Sequence, residues 1–161
     1  MTMETIPARE LFRHTLATLA YRGGKTLRGA DADFAQFRAG ENTRTPLEIL
    51  AHIGDLMEWA LSIARGKEEW KKADSGTWDQ EVARFFASLQ SFDDYLASGK
   101  PLGCPPQQLF QAPIADALTH VGQLAMLRGL AGNPIRGESY FMADIVAGRV
   151  GAEQSAARFE F

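Results

Sequence analysis

The sequence predicts an all-α fold, a four-helix bundle with an additional short C-terminal helix, and three observations predict it. Four long segments repeat apolar residues at spacings of three and four, two of them begin with capping boxes, and almost nothing reads as a strand. Helices of this kind joined by short or moderate loops bury one apolar stripe each against their neighbours.

The first helix is expected from Pro7 to Arg28, with Leu11, Phe12, Leu16, Leu19 and Ala20 as its stripe and Pro7 suited to the first turn. Gly23 and Gly24 weaken its second half. Residues 29 to 44 read as a loop pinned to the core by Phe34 and Phe37. Thr45-Pro46-Leu47-Glu48 is a capping box with proline at the first helical position, so the second helix starts there and runs to Arg65 before Gly66. A similar box, Thr77-Trp78-Asp79-Gln80, opens the third, whose Val82, Phe85, Phe86, Leu89, Phe92 and Leu96 carry the pattern to Gly99. A short turn around Gln107 to Phe110 precedes Pro113, which opens or kinks a fourth helix reaching Ala131. Gly132-Asn133-Pro134 ends that helix, and a last short one is expected over Glu138 to Ala147.

A chain of 161 residues fits a single domain, 1–161, with a real core. Its 45% apolar and 23% charged residues are ordinary for a globular protein, and the apolar runs are far below the roughly 20 residues that span a bilayer. No membrane association is therefore expected. The start, Met1-Thr2-Met3-Glu4-Thr5-Ile6-Pro7, has neither the basic nor the apolar region of a signal peptide, so a cytoplasmic protein is expected. A net charge of −3 without a basic stripe argues against nucleic acid as a partner. The single cysteine, Cys104, lies in Gly103-Cys104-Pro105-Pro106 with no neighbouring base, and reads as a bystander thiol.

The chemistry-bearing residues are few. Asp116 and His120 stand four apart on the fourth helix, so their Cβ atoms lie roughly 5–6 Å apart on one face. A carboxylate oxygen and an imidazole nitrogen at that spacing can reach one ion at about 2.0–2.2 Å, and a third ligand from a facing helix would complete a set. His52, on the second helix, is the other helix-borne candidate. A solvated pair that only supports its helix, and a histidine satisfied by a carbonyl or carboxylate, are the plain alternatives. His14 has no ligand-type residue near it on its face and reads as structural or surface.

His120-Val121-Gly122-Gln123-Leu124 followed by Leu127-Arg128, with His52 in Leu50-Ala51-His52-Ile53-Gly54-Asp55-Leu56, resembles the pattern of the DinB-like metal-binding four-helix bundles, the damage-inducible protein B superfamily. The resemblance spans the first helix through Tyr140. It implies a divalent metal held by one histidine of the second helix and a His-x3-His pair of the fourth. This chain departs from that pattern with Asp116 at the earlier position of the pair, giving a His52, Asp116 and His120 set. Related metal-dependent thiol-linked isomerases carry a carboxylate there. The mixed set suits Zn, Ni, Fe or Mn and selects none of them.

The resemblance implies a metal-dependent enzyme that activates a small-molecule thiol, or water, as a thiol-dependent transferase or hydrolase. It equally covers a non-catalytic, metal-binding or dimeric stress-associated bundle in which the ion is structural or absent. Gln123 would orient water or substrate, or serve as a hydrogen-bonded support. Asp55 and Glu58 are candidates to hold the other nitrogen of His52, Arg128 to attract an anionic substrate, and Trp59 to line the site or pack at its rim. Apolar excess on the first and third helices, together with the dimers of the family, points to a homodimer.

Overall fold

The computed structural model describes residues 6–161, so most of the stretch read above for a signal peptide lies outside the described residues. Four long helices form the body: α1 (Ala8–Leu27), α3 (Pro46–Ala64), α4 (Trp78–Ala97) and α6 (Ala115–Leu130). One-turn helices α2 (Ala32–Ala35) and α5 (Pro106–Leu109) sit in the connections. Helix α3 packs on α4 and α6, and α1 packs on the same two, so α1 and α3 face each other across a diagonal. Among the described residues no helix is long and apolar enough to cross a membrane.

Local chemistry accounts for the helix ends. Both capping boxes form: Thr45 Oγ1 accepts from the Glu48 amide while the Thr45 amide donates to Glu48 Oε2, and Thr77 and Gln80 repeat the exchange on α4. Gly66, Gly99 and Gly132 follow α3, α4 and α6 with positive φ, the left-handed geometry that ends a helix. Phe34 is buried and Phe37 half-buried against the core, which pins the loop between α1 and α3 as expected.

The core joins Leu16 and Leu19 of α1, Leu50, Ile53 and Met57 of α3, Phe85, Leu89 and Phe92 of α4, and Ile114 at the foot of α6, all essentially inaccessible to solvent. Helix α1 continues through Gly23 and Gly24 to Leu27 despite their weak propensity. The reason is tertiary. A Cβ on Gly23 would stand 2.6 Å from Phe85 Cζ, so the bare backbone admits the ring, and burying a phenylalanine contributes about 1.5–3 kcal/mol against the roughly 1 kcal/mol cost of glycine.

Two segments differ from expectation. Pro113 does not open the last helix but sits inside an irregularity of it: residues Phe110–Ile114 form a π-helical turn that joins α5 to α6, and the Ala115 amide reaches back five residues to Phe110 O. The wider turn accommodates a ring that clashes with the carbonyl four residues back in a regular helix. The helix expected over Glu138 to Ala147 contracts to one 3-10 turn at Tyr140–Met142. Its backbone bonds go elsewhere. The Ser139 amide donates to Phe159 O and the Phe161 amide to Gly137 O, an isolated antiparallel bridge that folds the chain end back on itself. The Glu138 side chain, buried, accepts from Tyr21 Oη at 2.5 Å and from Lys25 Nζ at 2.7 Å, fastening this segment to α1.

Candidate metal centre

Two adjacent helices bring the expected ligands together. Proline at the start of α3 and the Thr45 box set that helix's beginning, and His52 projects from its second turn toward α6. The π-helical turn ends at Ile114, two residues before Asp116, so its extra residue sets the rotation at which Asp116 and His120 leave α6. His52 Nε2 lies 3.6 Å from Asp116 Oδ2, and His120 Nε2 lies 3.4 Å from Asp116 Oδ1. One ligand atom from each of the three falls within 4.8 Å of the others.

These separations leave room for an ion between the three side chains, which could hold one. Both exceed the ordinary N–H···O range of about 2.7–3.2 Å, whereas donors around a tetrahedral ion at about 2.1 Å stand roughly 3.4 Å apart. Two imidazoles and a carboxylate are also the donor types that borderline divalent ions take.

The surroundings prepare the nitrogens. His120 Nδ1 donates to Gln123 Oε1 at 2.8 Å. An amide oxygen only accepts, so the proton stays on Nδ1 and the lone pair of Nε2 points at the cluster. His52 packs edge-on against His120, with ring centroids 4.9 Å apart, and against Trp70 at 5.8 Å. Burial holds the His52 pKa below its ordinary value, aided by the neighbouring His120 and Arg44 and opposed by Asp116. A neutral, desolvated imidazole is the form that ligates.

The cluster opens on a cavity of about 560 Å³. Its polar side is His52, Asp116, His120, Gln123 and Arg44, and its apolar wall includes Ile49, Leu127, Met126 and Leu130. Asp116 is half-exposed toward this space and His120 is buried at its base.

The other expected residues are engaged elsewhere. Asp55 is buried, and its Oδ1 accepts from Arg84 Nη2 at 2.6 Å and from the Ala73 amide, while Glu58 accepts from Arg84 Nε and Nη2. Both carboxylates thus tie α3 to α4 instead of holding His52. Trp59 donates to Glu68 and packs on Trp70, one ring removed from His52. Arg128 is buried away from the cavity, where it donates to Thr26 O, Arg28 O and Asn133 O and closes the carbonyl end of α1. His14 is exposed on α1 and joins no such group, and Cys104 is a half-buried thiol whose pKa burial raises.

Arg44 was not expected at the site, and the sequence offers Trp70 only as core or rim packing. Trp70 lies in an irregular segment with no periodic pattern, and Arg44 precedes the Thr45 cap, a position whose local signal concerns only the helix start. Comparison with family models, with curated proteins and with solved structures finds no match to this chain.

Proposed function

We propose that the protein is a DinB-like divalent-metal-binding bundle, with His52 Nε2, the Asp116 carboxylate and His120 Nε2 as ligands, and that it activates a small-molecule thiol or water as a transferase or hydrolase. The observation that carries this reading is the meeting of three donors from two helices, at separations one ion can share, on the wall of an open cavity. A divalent ion held there supplies Lewis acidity, lowering the pKa of a thiol or water near neutral pH. Zn, Ni, Fe and Mn all suit the donor set.

The chain's own residues then have distinct tasks. Gln123 keeps the proton of His120 on Nδ1. Trp70 covers the outer side of His52 and helps keep it neutral. Asp116 contributes the one negative charge of the ligand set and faces the cavity. Leu127 and Ile49, both buried, dry the floor on which the reacting group rests.

A second reading is favoured by the origin of the ligands: because they come from α3 and α6, an ion shared by them cross-links two helices and can be purely structural. Elemental analysis of purified protein, followed by His52→Ala and Asp116→Ala, separates the two. Loss of metal with little change in melting temperature supports an open, functional site; loss of metal with a much earlier melt supports a structural ion. Full metal content in both variants overturns the ligand set.

A further inference from the structure

We propose that the cavity beside the three donors takes a small amphipathic acid, with its carboxylate on Arg44 and its apolar body against Met126 and Leu130. This rests on the metal reading only for the additional positive charge that an ion brings.

The carboxylate end follows from Arg44. Its exposed side chain lines the cavity, and among the described residues it makes no hydrogen bond or ion pair. The nearby Glu48 is already committed, accepting from the Thr45 amide at 2.7 Å and standing 3.8 Å from Arg38. The backbone that carries Arg44 is held on both sides. Thr43 Oγ1 donates to Gly40 O and accepts from the Gly40 amide, Thr43 O accepts from Arg38 Nη1, and Thr45 is locked in the capping box. An unpartnered guanidinium on a braced loop presents a planar donor fork suited to a carboxylate.

The apolar end follows from α6. Met126 and Leu130, one turn apart on the cavity wall, are 68% and 59% exposed, an adjacent pair of large apolar side chains left open beside a concave site. Leu127 and Ile49 extend that surface inward. A volume of about 560 Å³ is that of a small-molecule site lined by apolar groups with a few placed polar ones. A divalent ion with Asp116, added to Arg44, leaves the site net positive, which selects an anion over a neutral analogue of the same shape.

Octanoate and octanamide test this as a matched pair, titrated calorimetrically into zinc-loaded and chelator-treated protein, with zinc content measured separately in every sample. The expected result is that octanoate binds about tenfold tighter than octanamide, as a charge-assisted bond at an exposed site warrants. Arg44→Gln is expected to remove that preference at unchanged zinc content, and Leu130→Gln to weaken both ligands. Equal affinity for the two ligands, absence of binding, or octanoate binding that needs zinc and ignores Arg44→Gln would each overturn the inference, the last by placing the carboxylate on the ion. An Arg44-dependent preference that persists in chelator-treated protein upholds it even where the zinc analysis refutes the ligand set.

Discussion

Gln123 Oε1, one turn further along the same helix, accepts a 2.8 Å hydrogen bond from His120 Nδ1, which leaves the opposite nitrogen facing Asp116. Replacing this amide by Gln123→Leu frees the ring to adopt the other tautomer while leaving an exposed position of similar size. Zinc affinity, read by competition with a chromogenic chelator, is expected to fall about 10–100-fold with the melting temperature of the metal-free protein unchanged. An unaltered affinity would reduce the bond to a surface contact.

Acid is expected to release the metal, because both imidazoles must be neutral to bind. Burial depresses the His52 pKa, so its neutral form persists below the ordinary histidine value of about 6.5 and its ligation weakens only at more acid pH than an ordinary histidine's would. The same sign holds for folding. The unfolded chain binds the His52 proton more tightly than the native one, so this contribution to stability is present above the unfolded pKa and lost as pH falls through the folded one. A zinc affinity that stays flat from about pH 8 to 5 counts against histidine ligation.

At the alkaline end the reporter is Tyr21. Burial and its bond to Glu138 push its pKa up to about 12. In a spectrophotometric titration of the tyrosinate band, one tyrosine is expected to deprotonate late, and Tyr21→Phe to delete that step. The native state holds this proton more tightly than the unfolded chain, so the contribution is complete below about pH 10 and declines as pH rises toward the folded value. Coincident titration of all tyrosines would mean that the Glu138 clamp is open in solution.

Arg84 is the strut between α3 and α4, reaching Asp55, Glu58, Glu81 and the Ala51 carbonyl. Arg84→Met leaves two buried carboxylates, Asp55 and Glu81, without their cation, a loss expected to cost about 3–5 kcal/mol in denaturant unfolding. Gly54→Ala acts on the same group more gently. The added Cβ would stand 3.0 Å from Arg84 Nη1, and a destabilisation of about 1–2 kcal/mol is expected as the guanidinium shifts. Parity of both variants with the parent protein in unfolding would show that the network contributes nothing net.

Much of this molecule is legible in one dimension because the forces concerned act over a few residues. The capping boxes at Thr45 and Thr77 close within a single turn, the apolar stripes are a matter of period, and the spacing of Asp116 and His120 places them on one face of one helix. The position of His52 beside them is of a different kind. The resemblance of its surrounding residues to a known motif leads one to expect it, yet the meeting depends on α3 docking against α6 at one rotation, with the π-helical turn at Phe110–Ile114 setting where α6 begins. The polar residues with several partners to choose from were least legible. Asp55 goes to Arg84, Arg128 to the carbonyls ending α1, and Glu138 to Tyr21 and Lys25, because each buried charge takes the partner that packing brings within reach, across 29, 102 and 117 residues of chain. The residues themselves determined the helices, their ends and the pair on α6. Only the packed bundle decided that Arg44 and Trp70 join the site, beside the Gln123 support already legible one turn from His120, while Asp55, Trp59 and Arg128 do not, since hydrogen bonds local in sequence define an element but desolvation upon docking selects its neighbours.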